Sequence, residues 1–190
     1  MRARSRTRAI RTIIAAIVLS WPLLSPVRAA PPVAALAALP TLPAHPDKGT
    51  ATGLPLPRFV SLLSGDVNMR VGPGFQYPIE WVYKERGLPV VVEREFDVWR
   101  LVLAPDGGRG WMHEATLSGT RTFVVTGATH TLRRRPDPNA PVVAVLHAGV
   151  IGRIRRCKAG DAWCSVEVDG RRGYLRRDEF WGTFPDEAVP

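Results

Sequence analysis

The sequence has few of the side chains that build metal sites and catalytic centres. Only four histidines and two cysteines occur among its 190 residues. The histidines, which are His45, His113, His130 and His147, show no metal-ligand spacing. No pair of acidic residues stands in a context large enough for glycoside hydrolysis. We therefore expect no enzymatic activity, no metal and no cofactor.

A long apolar segment is also missing. The most apolar stretch is Ile13–Leu19, with two more leucines shortly after it, and about a dozen apolar residues are fewer than the roughly 20 that a membrane-spanning helix requires. Five arginines and no acid precede it, and Val27–Ala29 ends in the small residue that signal peptidase requires. No cysteine precedes Cys157, which excludes a lipid-modified N-terminal cysteine. We expect residues 1–29 to be a cleaved signal peptide of a periplasmic or secreted protein, without stable membrane insertion after cleavage. An uncleaved anchor is the alternative.

The net positive charge outside this segment is small. Six of the 26 basic residues and none of the 17 acids lie in residues 1–29, so the formal charge falls from +9 to +3 for residues 30–190. Nucleic acid is therefore a poor candidate partner. The remaining charge is uneven, with −1 over residues 58–119 and +4 over residues 120–190.

Residues 30–57 contain seven prolines and few side chains that could be buried. Proline removes amide donors and restricts φ, so we expect a disordered linker with polyproline-II character. A short helix over residues 33–39 is the alternative.

The rest of the chain repeats itself with a period of about 63 residues. A repeat of this length is a whole small domain. We expect one domain over residues 58–119, a second over 120–184, and a tail over 185–190. The matching segments are Asn68–Pro73 with Thr131–Pro136, Gly87 with Gly149, Asp97–Trp99 with Asp161–Trp163, and Gly110–Met112 with Gly173–Leu175.

Each copy has the local pattern of β-structure. Short runs rich in valine, isoleucine and aromatic residues alternate with glycine and aspartate. Val168–Arg171 contains an Asp-Gly pair, which predicts a tight hairpin turn. About five short strands per copy, without helical periodicity, predict an all-β fold of two tandem small barrels.

The two cysteines, Cys157 and Cys164, stand at the end of one predicted strand and at the start of the next. In an exported chain a disulfide is the default interpretation. A metal site would need further ligands, for which His147 is the only nearby candidate. A thiol nucleophile would need a positioned base. We predict a Cys157–Cys164 disulfide.

The ordered motifs of both copies resemble the bacterial SH3 domain. In the first copy they are Asn-x-Arg-x-Gly-Pro-Gly-x-x-Tyr-Pro from Asn68 to Pro78, then Gly87, Asp-x-Trp ending at Trp99, and Gly-Trp-Met ending at Met112. The resemblance extends over residues 58 to about 182. It implies a small SH3-like β-barrel per copy, with a long first loop at 70–79 and 133–141. A one-turn 3₁₀ segment would follow the last hairpin, at 113–117 and 177–180.

The same resemblance implies which side chains face a ligand groove and which form the core. Trp99 and Trp163 would line the groove, with Trp111 and Tyr174 beside it. Strand alternation agrees, because positions three apart lie on opposite faces. The implied core residues are Val102, Met112, Val166 and Leu175.

One departure from the wider SH3 fold bears on the ligand. Eukaryotic SH3 domains that bind proline-rich peptides have a proline and a tyrosine after the last hairpin. This chain has His113 and Thr116 there in the first copy, and Arg176 and Glu179 in the second. The surface for a PxxP ligand is incomplete.

Arginines supply the basic surface of the second copy. Arg134, Arg171 and Arg176 are candidate ligand contacts, because guanidinium groups form charge-assisted hydrogen bonds with carboxylates. A solvated face is the alternative. Arg133 aligns with Arg70, and we expect both to brace the long loop.

These features predict an exported, non-catalytic binding protein. The leading ligand is cell-wall peptidoglycan, through its stem peptide, or another cell-envelope partner such as a periplasmic protein. The alternative is a periplasmic protein–protein adaptor or scaffold without cell-wall affinity. A third hypothesis is an accessory to, or remnant of, a cell-wall hydrolase. A catalytic domain needs roughly 100 residues, however, and residues 30–57 are too few to form one.

Overall fold

The computed structural model describes residues 47–190. In this part of the chain the only helices are two 3₁₀ turns, at Glu114–Thr116 and Arg177–Glu179, and the remaining regular structure is strand. The all-β prediction is confirmed, and both 3₁₀ turns occur where the resemblance implies them. The expected signal peptide at residues 1–29 and the linker residues 30–46 lie outside the described residues. Within residues 47–190, no helix is long and apolar enough to span a membrane.

A short hairpin and a seven-stranded antiparallel sheet make up the first half of the described chain. The hairpin strands are β1 (Asp47–Lys48) and β2 (Pro55–Leu56). The sheet strands are β3 (Arg58–Leu62), β4 (Val67–Arg70), β5 (Ile79–Tyr83), β6 (Pro89–Phe96), β7 (Trp99–Leu103), β8 (Arg109–His113) and β9 (Leu117–Ser118).

A second seven-stranded antiparallel sheet makes up the other half. Its strands are β10 (Thr122–Val125), β11 (His130–Arg133), β12 (Val142–Leu146), β13 (Ile151–Cys157), β14 (Trp163–Val168), β15 (Arg171–Arg176) and β16 (Phe180–Trp181).

The two sheets have the same topology. The strand order is β5-β4-β8-β7-β6-β3-β9 in the first and β12-β11-β15-β14-β13-β10-β16 in the second. The register of each sheet shifts at two equivalent points, which are Met69/Arg70 and Val92/Arg94 in the first copy and Leu132/Arg133 and Ile154/Arg156 in the second. The internal repeat in the sequence is therefore a repeat of the whole fold, including its irregularities.

The core of each barrel follows the strand alternation expected from the sequence. Val102, Met112, Val166 and Leu175 are all fully buried, as the resemblance implies. The turn at Asp169 and Gly170 also has the predicted geometry. Both residues have positive φ, of 48° and 76°, as a two-residue hairpin turn with right-handed strand twist requires.

Parts of both chain segments that flank the barrels pack against a barrel, and for residues 47–57 this differs from the expected disordered linker. Residues 47–57, expected to belong to a disordered linker, form the β1–β2 hairpin, whose Leu56 is buried in the first core. In the expected C-terminal tail, Val189 is buried and exchanges two 2.9 Å backbone hydrogen bonds with Cys157. Each segment thus adds a buried side chain to the core of its barrel.

An apolar interface joins the two barrels. Val124, Ile151 and Trp181 of the second copy pack against the core of the first. The rings of Phe59 and Trp181 meet edge to face, with centroids 5.5 Å apart. β10 is consequently buried on both sides, since Phe123 and Val125 face its own barrel while Val124 faces the other.

Candidate functional site

A cavity of about 440 Å³ opens on the outer face of the second barrel. It combines aromatic, cationic and small polar side chains. The lining residues are Pro136, Arg156, Lys158, Asp161, Ala162, Trp163, Ser165 and Tyr174.

Strand register brings the main lining residues together. Ser165 on β14 lies opposite Arg156 on β13 and opposite Tyr174 on β15, so these three side chains form one row across the sheet. Trp163 is two residues from Ser165 and on the same face. Cys164, between them, is fully buried on the core side. Because side chains alternate along β14, Trp163 lies on the outer face of the sheet while Cys164 packs in the core.

The rim of the cavity is held by Arg177, which follows β15. Its guanidinium donates to the carbonyls of Lys158 (2.6 Å) and Asp161 (2.7 Å) in the rim loop. It also donates to the carbonyls of Phe184 (3.0 Å) and Glu187 (2.9 Å) in the C-terminal segment. One side chain thus fixes the loop beside Trp163 and joins it to the C-terminal segment.

The predicted Cys157–Cys164 disulfide is present and closes the base of the same loop. The two residues are directly opposite each other on β13 and β14, with Cα atoms 4.5 Å apart. Lys158 and Trp163, which line the cavity, are the residues immediately inside this bridge. The disulfide and Arg177 together pre-organise the rim.

The equivalent position in the first barrel is covered. Trp99 aligns with Trp163 but is only 5% exposed. The Phe75 ring lies 5.1 Å from Trp99, edge to face, and stacks on His113 at 5.5 Å. Phe75 itself is 70% exposed, so it acts as a cover between Trp99 and solvent.

Two substitutions between the copies explain this difference. Counting from the aligned arginines Arg70 and Arg133, the counterpart of Phe75 is Pro138. Counting from the Gly-aromatic-apolar motifs, the counterpart of His113 is Arg176. The second copy therefore lacks both rings that cover Trp99, and its own tryptophan lines an open cavity.

The arginine that braces the long loop does so in both copies, as expected. Arg70 donates to the carbonyls of Phe75 (3.2 Å) and Tyr77 (2.6 Å), and Arg133 donates to the carbonyl of Ala140 (2.9 Å). The two long loops are therefore braced in the same way, and they differ in the side chains that they place near the tryptophan.

None of the three candidate arginines lines the cavity. Arg176 is opposite Trp163 on β15 and binds Asp178 through two contacts of 3.0 and 3.1 Å, a hydrogen-bonded pairing that lowers the pKa of the Asp178 carboxyl. Arg134 is exposed in the long loop, and Arg171 is exposed at the far end of the β14–β15 hairpin. Trp111, the counterpart of Tyr174, is half-buried beside Arg70.

Sequence reasoning missed the two cations that do line the cavity, Arg156 and Lys158. Alternation could have found Arg156, because it precedes the inward-facing Cys157 on a strand. With Asp161 as the acid in the lining, the cavity has a net positive charge of one. Across residues 47–190, no group of three or more His, Cys, Asp or Glu side chains could hold a metal ion.

Comparison with solved structures gives distant similarities. The structure of NlpC2 from Trichomonas vaginalis aligns with 11% identity and a TM-score of 0.30 over 66% of this chain and 48% of that one. The structure of NlpC1 from the same organism aligns with 11% identity and a TM-score of 0.30 over 72% of this chain and 49% of that one. The chain thus spans about half the length of each.

Comparison with families gives the assignment. No curated protein matches the chain. The sequence model described as the bacterial SH3 domain matches it twice, over residues 64–119 and residues 127–182. These two matches fall within the two seven-stranded sheets and together cover more than half of the sequence. The chain belongs to the bacterial SH3 domain family, with two copies of the domain in tandem.

Proposed function

We propose that this protein is an exported, non-catalytic binding protein whose second barrel binds the stem peptide of peptidoglycan. The single observation that carries the proposal is the difference between the two equivalent positions. Trp99 is covered by the first barrel's own Phe75, whereas Trp163 lines an open cavity of about 440 Å³. Only at the second position can a ligand contact the tryptophan ring without prior movement of the protein.

The chemistry of this cavity suits a peptide that carries carboxylates. Trp163 and Tyr174 offer flat contact area, which gives binding energy at a low entropic cost. Arg156 and Lys158 supply cations for charge-assisted hydrogen bonds, and the fixed rim lowers the ordering cost of binding. Export, expected from residues 1–29, would bring the protein to the compartment that contains such a ligand.

The proposal is tested by cosedimentation of the purified protein with purified sacculi. We expect the protein in the pellet, with the bound fraction falling as salt rises because screening weakens the cationic contacts. Sacculi whose carboxylates have been converted to amides are the matched control and should bind much less. If the protein stays in the supernatant with native sacculi at low salt, the proposal is wrong.

A second candidate function, a periplasmic adaptor, is favoured by the surface of the first barrel. Phe75, Ile79 and Trp81 are all exposed, Trp81 by 59%, and β5 is an edge strand. Apolar residues on an open edge are typical of protein interaction sites. A photo-crosslinker at position 81 in living cells should then capture an envelope protein, whereas one at position 163 should capture none. Capture at position 163 alone would contradict the adaptor.

A further inference from the structure

A second cleft lies at the connection between the two barrels, apart from the aromatic cavity. Its volume is about 330 Å³, and its walls include Thr120 and Arg121 from the connection and Arg153 and Arg155 from β13. The amide of Ile154 donates to the carbonyl of Arg121 at 2.9 Å, which ties the two walls together. The cleft is thus a fixed feature of the tandem fold.

Positive charge on the β13 wall of this cleft is only partly neutralised. Arg153 and Arg155 are both exposed, and Arg153 forms no ion pair within residues 47–190. The carboxylate nearest to Arg155 is Glu167, at 3.9 Å. Glu167 already accepts a hydrogen bond from Arg172 at 2.9 Å. Its single negative charge therefore cannot balance the charges of both Arg172 and Arg155.

The connection wall contributes a third guanidinium and a hydroxyl. Arg121 binds the Glu187 carboxylate at 2.5 and 2.9 Å, which holds this guanidinium in place and balances its charge, so Arg153 and Arg155 supply the unbalanced positive charge of the cleft. The Thr120 hydroxyl accepts from Ser118 at 3.0 Å, so its own hydrogen is free to donate. Guanidinium groups with a neighbouring neutral donor form a typical receptor for a carboxylate.

Strand β13 links this cleft to the aromatic cavity. Arg153 and Arg155 line the cleft, while Arg156 lines the cavity and Lys158 follows directly after the strand. At roughly 3.3 Å per residue, Arg153 and Arg156 are about 10 Å apart along the strand. A ligand that extends along β13 from the cavity, starting at Arg156, would therefore reach the cleft.

We propose that the cleft lined by Arg121, Arg153 and Arg155 is a second subsite, which binds a carboxylate of the ligand about 10 Å along β13 from the part that contacts Arg156. The inference rests on the proposed function for the identity of the ligand. It extends that function by assigning the second barrel two subsites along one strand. The preferred ligand is then an extended peptide with more than one carboxylate.

The test compares two double variants in the purified protein, with a soluble muropeptide as the probe. Arg153→Gln/Arg155→Gln removes two charges from the cleft. Arg86→Gln/Arg94→Gln removes two charges from exposed positions of the first barrel and is the matched control. We expect the cleft variant to weaken binding about five- to tenfold at low salt, and the control to stay within about twofold. Equal losses of affinity in both variants would mean that only the net charge of the protein matters, and would overturn the proposal.

A second measurement separates failure of the subsite from failure of the proposed function. Glutarate is titrated against isotope-labelled protein, with the arginine side-chain N–H resonances as the readout. We expect saturable shifts at Arg153 and Arg155 that chloride does not reproduce at equal ionic strength. No shift with glutarate, or an equal response to chloride, would overturn the carboxylate subsite whether or not sacculi are bound. If the unsubstituted protein binds glutarate at the cleft but does not bind the muropeptide, the proposed function is rejected and the carboxylate subsite is retained.

Discussion

Trp99 and Trp163 occupy the same position in two copies of one fold but have different surroundings. Trp99 is packed beneath Phe75 and His113, whereas Trp163 is half-buried at the edge of a cavity. A buried ring contributes to stability through packing, and a ring at a cavity surface contributes mainly to binding. The two tryptophans should therefore respond differently to the same substitution.

Trp99→Ala should lower the free energy of unfolding by about 3 kcal/mol, because it leaves a space beneath Phe75. Trp163→Ala should lower it by less than about 1.5 kcal/mol, since part of that ring already faces solvent. Urea denaturation of both variants measures the difference. Equal losses would mean that the two rings are buried alike.

Glu95 is the other residue whose surroundings single it out. Its side chain has no exposed surface and binds Arg58 at 2.6 Å, with Arg100 3.7 Å away. Burial alone would raise the pKa of the Glu95 carboxyl. Hydrogen bonds from Thr52, Arg58 and the backbone amides of residues 51 and 52 outweigh burial and lower the pKa to about 2. The carboxylate thus fastens the N-terminal hairpin segment to the first barrel.

Glu95→Gln should lower the free energy of unfolding by about 3 kcal/mol at neutral pH, because Arg58 loses its buried counter-charge. Glu93→Gln, on the same strand, should cost less than about 1 kcal/mol, since its partner Arg109 is exposed. Thermal melts of the two variants check this. A similar loss in both would show that burial of the pair does not matter.

The same carboxylate predicts a pH dependence of stability. Its pKa is lower in the folded protein than the ordinary value of 4.5, so its stabilisation is complete above that value and is lost as the pH falls from 4.5 towards 2. The difference in melting temperature between wild type and Glu95→Gln should therefore shrink across this window. A difference that stays constant from pH 6 to pH 2 would contradict the account.

Some of these residue positions could be read from the sequence and others could not. The resemblance implied that Val102 and Val166 lie in the core, and alternation agreed with it, because a strand with one buried face admits a single parity. The cover over Trp99 could not be read in this way. Phe75 is in a loop, and no periodicity tells where a loop side chain points. The inside or outside position of a tryptophan then depends on a residue 24 positions away in the chain.

At the scale of elements, equivalent strand pairs are closed by different chemistry. Cys157 and Cys164 join β13 to β14, whereas Glu95 and Arg100 are the facing residues on β6 and β7. Each pair is also capped by a terminal segment, through Val189 in the second copy and through Thr52 in the first. A disulfide in one barrel and a buried ionic cluster in the other thus hold the equivalent strand pair together.

Cys157→Ser/Cys164→Ser should lower the free energy of unfolding by roughly 2–3 kcal/mol, because the bridge closes a loop of about eight residues in the unfolded chain. Ligand affinity should fall as well, since Lys158 and Trp163 adjoin the bridge. Denaturation with and without reductant measures the first effect, and the serine variant serves as the reductant-insensitive control. Equal stability of the oxidised and reduced protein would argue against a structural role.

At the scale of the whole molecule, the barrels share an interface that their repeat did not predict. A 63-residue repeat suggests independent domains, but Val124, Ile151 and Trp181 complete the core of the first barrel from the second. Their apolar character is indistinguishable in the sequence from that of ordinary core residues. Separated halves would expose this surface, so the site is best tested by substitutions in the intact chain.

The shared interface predicts one cooperative unfolding transition. Trp181→Ala should lower the stability of both barrels together, because the ring packs on Phe59 across the interface. Calorimetry, combined with amide exchange in each barrel, measures the coupling. Two separate transitions, with only the second shifted by the substitution, would show that the barrels fold independently.

The most direct test of the central claim measures muropeptide affinity for Trp163→Ala against Trp81→Ala in the intact protein. Both substitutions remove a solvent-accessible tryptophan, one from the second barrel's cavity and one from the first barrel's edge strand. We predict that Trp163→Ala weakens binding about ten- to a hundredfold, as loss of an aromatic anchor does, while Trp81→Ala leaves it unchanged. Unchanged affinity in Trp163→Ala together with a loss in Trp81→Ala would place the site on the first barrel and contradict the account.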